Sequence, residues 1–241
     1  MILLSDRLLS SESQCPYLPD RLWRFAFFFA IGVSAEELEA LLSSGWRKFG
    51  EYYFKPQCRN CSECIPLRVR LKDFHLSRSQ RRVVKKCQEV EVKFNELELR
   101  DEIYEVYKDH SLKRFGKETD YDDFAFSFYN PSCPAMQSEY FIDGRLAAVG
   151  FLDVSSKALS SVYFCFHSDF EDYSLGTFSC IKEIEFATKE GLQYYYLGYY
   201  IKDCQRMIYK DSFKENEKMD WETGQWLSSN PLQQIKASSE F

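Results

Sequence analysis

The chain is short of the residues that most often announce chemistry or a membrane. It has three histidines, four methionines, seven prolines and ten glycines in 241 residues. His75, His110 and His167 lie in no local nucleophile motif, so a nucleophilic Cys/His enzyme is a weak alternative. No stretch has the roughly 18 consecutive apolar residues that a membrane-spanning helix needs. The richest run, Leu22 to Val33, is interrupted by Arg24. The start, Met1 to Arg7, lacks a basic leader before its apolar residues, which argues against a secretory signal. These absences predict a cytoplasmic protein without a membrane partner. In that compartment the nine cysteines read as thiols or metal ligands and not as a disulfide frame. Net excess positive charge is also lacking: the formal charge is -6, so the molecule as a whole is no basic nucleic-acid binder.

Aromatic residues are abundant, with 16 Tyr, 21 Phe and 4 Trp, and 45% of the chain is hydrophobic. That suits a bulky core, and also stacking surfaces for a base or a peptide. Charge is distributed unevenly. Residues 66–86 hold Arg68, Arg70, Lys72, Arg78, Arg81, Arg82, Lys85 and Lys86 against Asp73, a local net of +7 that leaves -13 for the remainder. Such a patch is either a solvated face or a meeting place for a polyanion.

Cys58-x-x-Cys61-x-x-Cys64 places three thiols in one tight loop. This spacing lets a chain curl round one ion, and Cys15 is the best remote fourth ligand, with Cys87 as runner-up. A four-thiolate site suits zinc or an iron–sulfur cluster. Cys133, Cys165, Cys180 and Cys204 have no partners at motif spacing and read as small core residues.

Local signals outline an α+β chain. Ser34-Ala-Glu-Glu37 is a capping box, and Gly45 stops the helix that it opens. Residues 46–57 read as extended and Ile65 to Leu71 as a strand, while Ser79 to Lys86 suits either helix or strand. Residues 101–115 read as a helix ended by Gly116. Asp143-Gly144 between two apolar runs signals a hairpin with a type I′ turn. A strand over 159–166, a helix from Ser174-Leu-Gly-Thr177 to Gly191, an aromatic strand over 193–197 and a helix from Asp203 onward complete the list. Beyond residue 222 the chain is polar and reads as a frayed tail. The order strand, strand, strand, helix, strand matches the centre of the acetyltransferase (GNAT) superfamily fold. The coenzyme A loop of that fold is glycine-rich. Here Ser174-Leu-Gly-Thr177 has one glycine and no basic residue, so no coenzyme A is expected and the acyl donor is something else.

Several segments read together resemble one family. Cys15-Pro-Tyr-Leu-Pro19, Tyr53-Phe-Lys-Pro56, the Cys58–Cys61–Cys64 loop and Ser77-Arg-Ser-Gln-Arg-Arg82 resemble the N-terminal region of arginyl-tRNA–protein transferases, above all their bacterial aspartate/glutamate leucyltransferase branch. Leu159-Ser-Ser-Val-Tyr163, Ser174-Leu-Gly-Thr177 and Tyr196-Leu-Gly-Tyr-Tyr-Ile201, followed by Cys204, Met207, Tyr209-Lys210 and Phe213, continue the likeness. It covers about residues 14–221. The resemblance implies a cysteine-bearing N-terminal domain (1–95) packed with a GNAT-like mixed-sheet catalytic domain (96–241). It implies transfer of an amino acid, leucine ahead of arginine, from charged tRNA to the α-amine of proteins that start with Asp or Glu, marking them for degradation. Ser111 to Lys117, Cys165-Phe-His167 and Cys87 depart from the branch pattern.

The chemistry suits such a chain. An aminoacyl-tRNA is an activated ester, and an N-terminal amine is partly neutral near pH 8. Positioning two substrates and stabilising an oxyanion is then the main task. Arg78, Arg81 and Arg82 are the candidates to bind the acidic N-terminus as bidentate partners of a carboxylate, tRNA phosphate being their alternative ligand. Lys85, Lys86, Lys202 and Arg206 are the candidates for tRNA. Lys202, Arg206 and Lys210 would share one face if their stretch is helical. Tyr199, Tyr209 and Lys210 are the candidates at the reacting centre, and Cys15, Cys58, Cys61 and Cys64 the candidate metal ligands. The rival readings are a coenzyme A acetyltransferase and a non-catalytic zinc module that binds RNA.

Overall fold

The computed structural model describes residues 1–229. Its elements, in chain order, are β1 (Ile2–Leu3), β2 (Leu8–Leu9), β3 (Ser13–Gln14), β4 (Leu22–Trp23), β5 (Phe25–Ile31), α1 (Ala35–Ser43), β6 (Arg47–Phe49), β7 (Tyr52–Pro56), β8 (Ile65–Arg70), α2 (Arg78–Lys86), β9 (Glu91–Asn95), α3 (Asp101–Phe115), α4 (Tyr121–Tyr129), β10 (Ala135–Ile142), β11 (Arg145–Val154), β12 (Ala158–Phe166), α5 (Leu175–Lys189), β13 (Tyr194–Tyr200), β14 (Asn216–Met219) and β15 (Trp226–Ser228). Short 3₁₀ turns lie at Leu71–Asp73, Ser168–Tyr173 and Ile208–Ser212.

The helix starts follow their capping residues. The Ser34 hydroxyl accepts from the Glu37 amide while the Glu37 carboxylate accepts from the Ser34 amide. Ser77 and Gln80 repeat the device, which settles the ambiguous basic segment as helix α2. Gly116 closes α3 in the left-handed conformation. Asp143 and Gly144 both have positive φ, the backbone of the type I′ turn that joins β10 to β11.

The large sheet runs β15-β14-β8-β13-β12-β11-β10-β9 and is antiparallel except where β12 meets β13. A smaller sheet, β1-β5-β7-β6 with β2 also on β5, comes from the first 56 residues. Strand β8 also precedes residue 95, yet it is the third strand of the large sheet. The large sheet is therefore built from both of the units that the sequence suggests.

Alternation on β11 shows how the layers form. Val149 and Phe151 point to the core of α3 and α4, with Ile103, Val106, Phe124 and Phe128. Leu152 points the other way, to Leu159, Ile181, Ile184 and Tyr195 beneath α5. Both faces of this strand are buried, so its sequence is a nearly continuous apolar run. Each such side chain contributes about 1.5–3 kcal/mol when fully buried. A third core, Phe28, Leu38, Trp46 and Tyr53 with Ala158 and Tyr196, joins the small sheet to the large one.

Two expectations near the C-terminus are corrected. The segment from Asp203 forms no α-helix, only the 3₁₀ turn at Ile208–Ser212. Turn bonds from Cys204 N–H to Ile201 C=O and from Met207 N–H to Cys204 C=O fold it tightly, with Cys204 buried against Ile201. The chain after residue 222 is not wholly a frayed tail. Trp226 packs edge-on against Tyr196 and beneath the Arg68 guanidinium, and this anchors β15 on β14. Residues 230–241, the rest of the expected tail, lie outside the described residues.

Candidate active site

The parallel pairing of β12 and β13 is brief. Ala158, Leu159 and Ser160 face Tyr194, Tyr195 and Tyr196, and the pairing ends there. Beyond this point β13 has an irregular register against β8 between Tyr196 and Gly198, where Gly198 takes a φ of +82°. A conformation of that sign is one that a side chain resists. The opening at the strand ends is continued by a pocket of about 600 Å³. Phe49, Val162, Phe164 and Met207 give it an apolar lining. His110, Arg114, Glu171, Arg206 and Tyr209 bring polar groups, and Ser174 to Thr177, the start of α5, close one side.

Arg114 and Arg206 come from different elements, and neither forms an ion pair among the described residues. The Arg206 guanidinium lies 5.8 Å from the Phe115 ring. His110 is buried, and Phe166 N–H donates to its Nδ1 at 3.3 Å. Burial lowers its pKa and favours the neutral ring. Surrounding protein raises the Tyr209 phenol, which stays protonated and able to donate. Lys210 is pulled beneath this pocket. Its Nζ donates to Tyr199 C=O at 2.9 Å, and burial followed by repulsion from Arg47 lowers its pKa to about 8.

The sequence candidates thus separate. Tyr209 and Arg206 line the pocket, and Lys210 lies next to it. The common face expected of Lys202, Arg206 and Lys210 does not form, because the segment is not helical; Lys202 is exposed. Tyr199 turns to the other side of its strand, where its hydroxyl donates to Gly45 C=O at 2.8 Å. Arg78, Arg81, Arg82, Lys85 and Lys86 all lie on the exposed side of α2 and do not line this pocket. Helix α2 packs on α5, and its end is tied to the segment before α5 by Lys86 Nζ to Asp172 C=O and by Cys87 Sγ to Tyr173 C=O at 3.1 Å. Cys87 is therefore remote from the other candidate ligands. Arg47, His110, Arg114 and Glu171 were not legible as site residues, since each is an isolated polar residue in an otherwise ordinary strand, helix or turn.

Cys15, Cys58, Cys61 and Cys64 do come together. They line one cavity of about 50 Å³ with Trp23, Phe25, Phe54 and Tyr199. Leu18 N–H points at Cys15 Sγ and Arg24 N–H at Cys58 Sγ, both at 3.4 Å, and Arg21 Nη1 at Cys61 Sγ at 3.3 Å. Among the described residues, however, no three His, Cys, Asp or Glu side chains are grouped so as to hold a metal ion. All nine cysteines are free thiols, and Cys133, Cys165, Cys180 and Cys204 are buried.

A mixed sheet whose one parallel pair lies over a pocket, with a helix start at its edge, is a GNAT-like arrangement. Comparison with known proteins narrows the class. The family described as arginine-tRNA-protein transferase matches with its N-terminal part over residues 13–82 and with its C-terminal part over residues 100–220. The aspartate/glutamate leucyltransferase of Campylobacter jejuni strain 81-176 is 35% identical over 86% of this chain and 89% of its own. That of Helicobacter hepaticus is 32% identical over 85% and 88%, and that of Pseudomonas aeruginosa LESB58 32% over 84% and 88%. Among solved structures, FemX is 10% identical with a TM-score of 0.48 over 70% of this chain and 61% of that one. The chain belongs to the arginine-tRNA-protein transferase family and is an aminoacyl-tRNA–protein transferase. No helix among the described residues is long and apolar enough to cross a membrane.

Proposed function

We propose that this chain transfers leucine from charged tRNA to the α-amino group of proteins that begin with Asp or Glu, and that it does so in the cytoplasm as a step toward their degradation. The carrying observation is the pocket at the splayed strands. It combines an apolar lining suited to a leucyl side chain with two arginines that have no acid partner. The names of the relatives support the same reading.

In this reading the exposed cations of α2 meet tRNA phosphates, where salt screens them and release of counterions drives binding. The aminoacyl ester enters the pocket beside Phe49, Val162 and Met207. The acceptor's neutral amine attacks the ester carbonyl carbon. The bond from that carbon to the ribose oxygen breaks, an amide forms, and the amine proton leaves with the ribose hydroxyl. Tyr209, held protonated, donates at the reacting centre. Glu171 on the pocket wall faces the incoming amine. The four cysteines Cys15, Cys58, Cys61 and Cys64 take no part in these steps.

The test is transfer of labelled leucine or arginine from charged tRNA onto peptides that start with Asp, Glu, Arg or Lys. Leucine should appear on the Asp and Glu peptides alone. Transfer of arginine, or of leucine onto the basic peptides, would refute the assignment of donor or acceptor.

A further inference from the structure

The cations that are buried among the described residues, Lys48 and Arg68, meet carboxylates. Lys48 Nζ sits 3.0 Å from Asp153, and Arg68 Nε 2.7 Å from Glu217. Arg47 and Lys210 form no ion pair among the described residues. The Arg47 guanidinium bonds to Ser161 C=O through Nη2, while its Nη1 is buried with no hydrogen-bond partner. Lys210 Nζ makes one hydrogen bond, to Tyr199 C=O. A buried charge left in this state is costly unless an anion arrives to meet it.

The two groups converge on one place. A Cβ added to Gly198 would lie 3.5 Å from Lys210 Nζ and 3.7 Å from Arg47 Nη2. Both cations thus face the same point beside the Gly198 backbone, which the absent side chain leaves uncovered. This space adjoins the pocket: Phe49 shares a face of β6 with Arg47, Tyr209 directly precedes Lys210, and both line the pocket wall.

We propose that Arg47 and Lys210 form the receptor for the side-chain carboxylate of the acceptor's first residue, and that they are what restricts transfer to acidic N-termini. This rests on the transferase reading above. A carboxylate fits the space better than a phosphodiester does. It ends a short side chain and needs room on one side only, whereas a bridging phosphate carries a nucleoside on each side. The exposed face of α2 already offers phosphates a site. Burial disfavours the charge on both groups, and Arg47 adds repulsion at Lys210, so an arriving carboxylate is favoured. A neutral amide would leave the cations unpartnered and be rejected.

The experiment uses the full chain, leucyl-tRNA and four peptides that differ only in a first residue of Asp, Asn, Glu or Gln. The unaltered protein should favour Asp over Asn by about a hundredfold or more in kcat/KM. Arg47→Gln and Lys210→Gln should each cut that preference at least about tenfold, chiefly through KM for the acidic peptides, and Arg47→Lys should keep part of it. A preference unchanged in both variants, with peptides still extended, overturns the proposal alone. So does an equal fall in kcat for all four peptides, which would place the pair at the reacting carbonyl. If Arg47→Gln does not fold, as judged by its melting transition, the Lys210→Gln ratio decides. Absence of transfer to all four peptides by the unaltered protein refutes the transferase reading itself.

Discussion

Glu183 offers a quantitative check on the packing beneath the site. It lies on α5, fully buried, facing β10 and β13. Tyr195 Oη donates to its Oε2, and Ser138 Oγ and Tyr140 Oη donate to Oε1 at 3.1 and 3.4 Å. No cation is among its partners. Burial raises its pKa from 4.5 to about 7, and the three hydroxyls only partly oppose that rise. The folded state therefore holds this proton more tightly than the unfolded chain. The contribution to stability is fully present below about pH 4.5 and falls as the unfolded carboxyl ionises. It is lost by the time the pH passes the folded value near 7. One pKa unit corresponds to about 1.4 kcal/mol, so the loss amounts to about 3 kcal/mol. Glu183→Gln removes the titration and keeps an oxygen acceptor for the hydroxyls. Urea unfolding of both proteins between pH 4.5 and 8 isolates the effect, because the other titrating groups cancel in the difference. The original protein should lose about 3 kcal/mol relative to the variant across that range. A flat difference, or one of opposite slope, would refute the assignment of a proton to Glu183.

Two further outcomes follow from the same reasoning. Arg68→Met removes one of the two cations that meet Glu217, leaving Arg70 at 3.5 Å, and takes the guanidinium from the Tyr194 and Trp226 rings. Because Arg70 still meets the carboxylate, it should cost about 2 kcal/mol in urea unfolding, and a cost below about 0.5 would show that β14 and β15 do not depend on the pair. The triple variant Arg81→Ala, Arg82→Ala, Lys85→Ala touches exposed positions only, so its melting temperature should stay constant. Its KM for charged tRNA should rise, and its slope of log affinity against log salt should fall by about 0.7–0.9 for each phosphate contact removed; an unchanged slope would take tRNA off this helix.

The elements that sequence disclosed were those governed by neighbours in the chain. Ser34 with Glu37, Gly116, and Asp143 with Gly144 act within four residues, and each appears in the structure at its expected place. The cysteine cluster was legible in part for the same reason: Cys58, Cys61 and Cys64 share one loop, and Cys15 joins them through contacts that its segment makes with Ile201 and Cys204. The segment after Asp203 failed because long-range forces override helical spacing there. Lys210 is drawn inward to Tyr199 C=O and Phe213 into the core, so cations four residues apart end up on different surfaces.

The basic helix shows a different limit. Composition located the charge of residues 66–86 correctly but could not say which cations face solvent. Arg68 and Arg70 point into carboxylates within the sheet, whereas those from Arg78 onward project outward. Exposed cations suit a large polyanion that needs many weak contacts. Selecting one acidic side chain over its amide calls for the opposite, a few charges withdrawn from water. Arg47, on a strand of the small sheet, meets that condition only because the large sheet closes over it at Ser161 and Gly198. Acceptor specificity then depends on how the two sheets pack, and that is information that no local stretch of the chain contains.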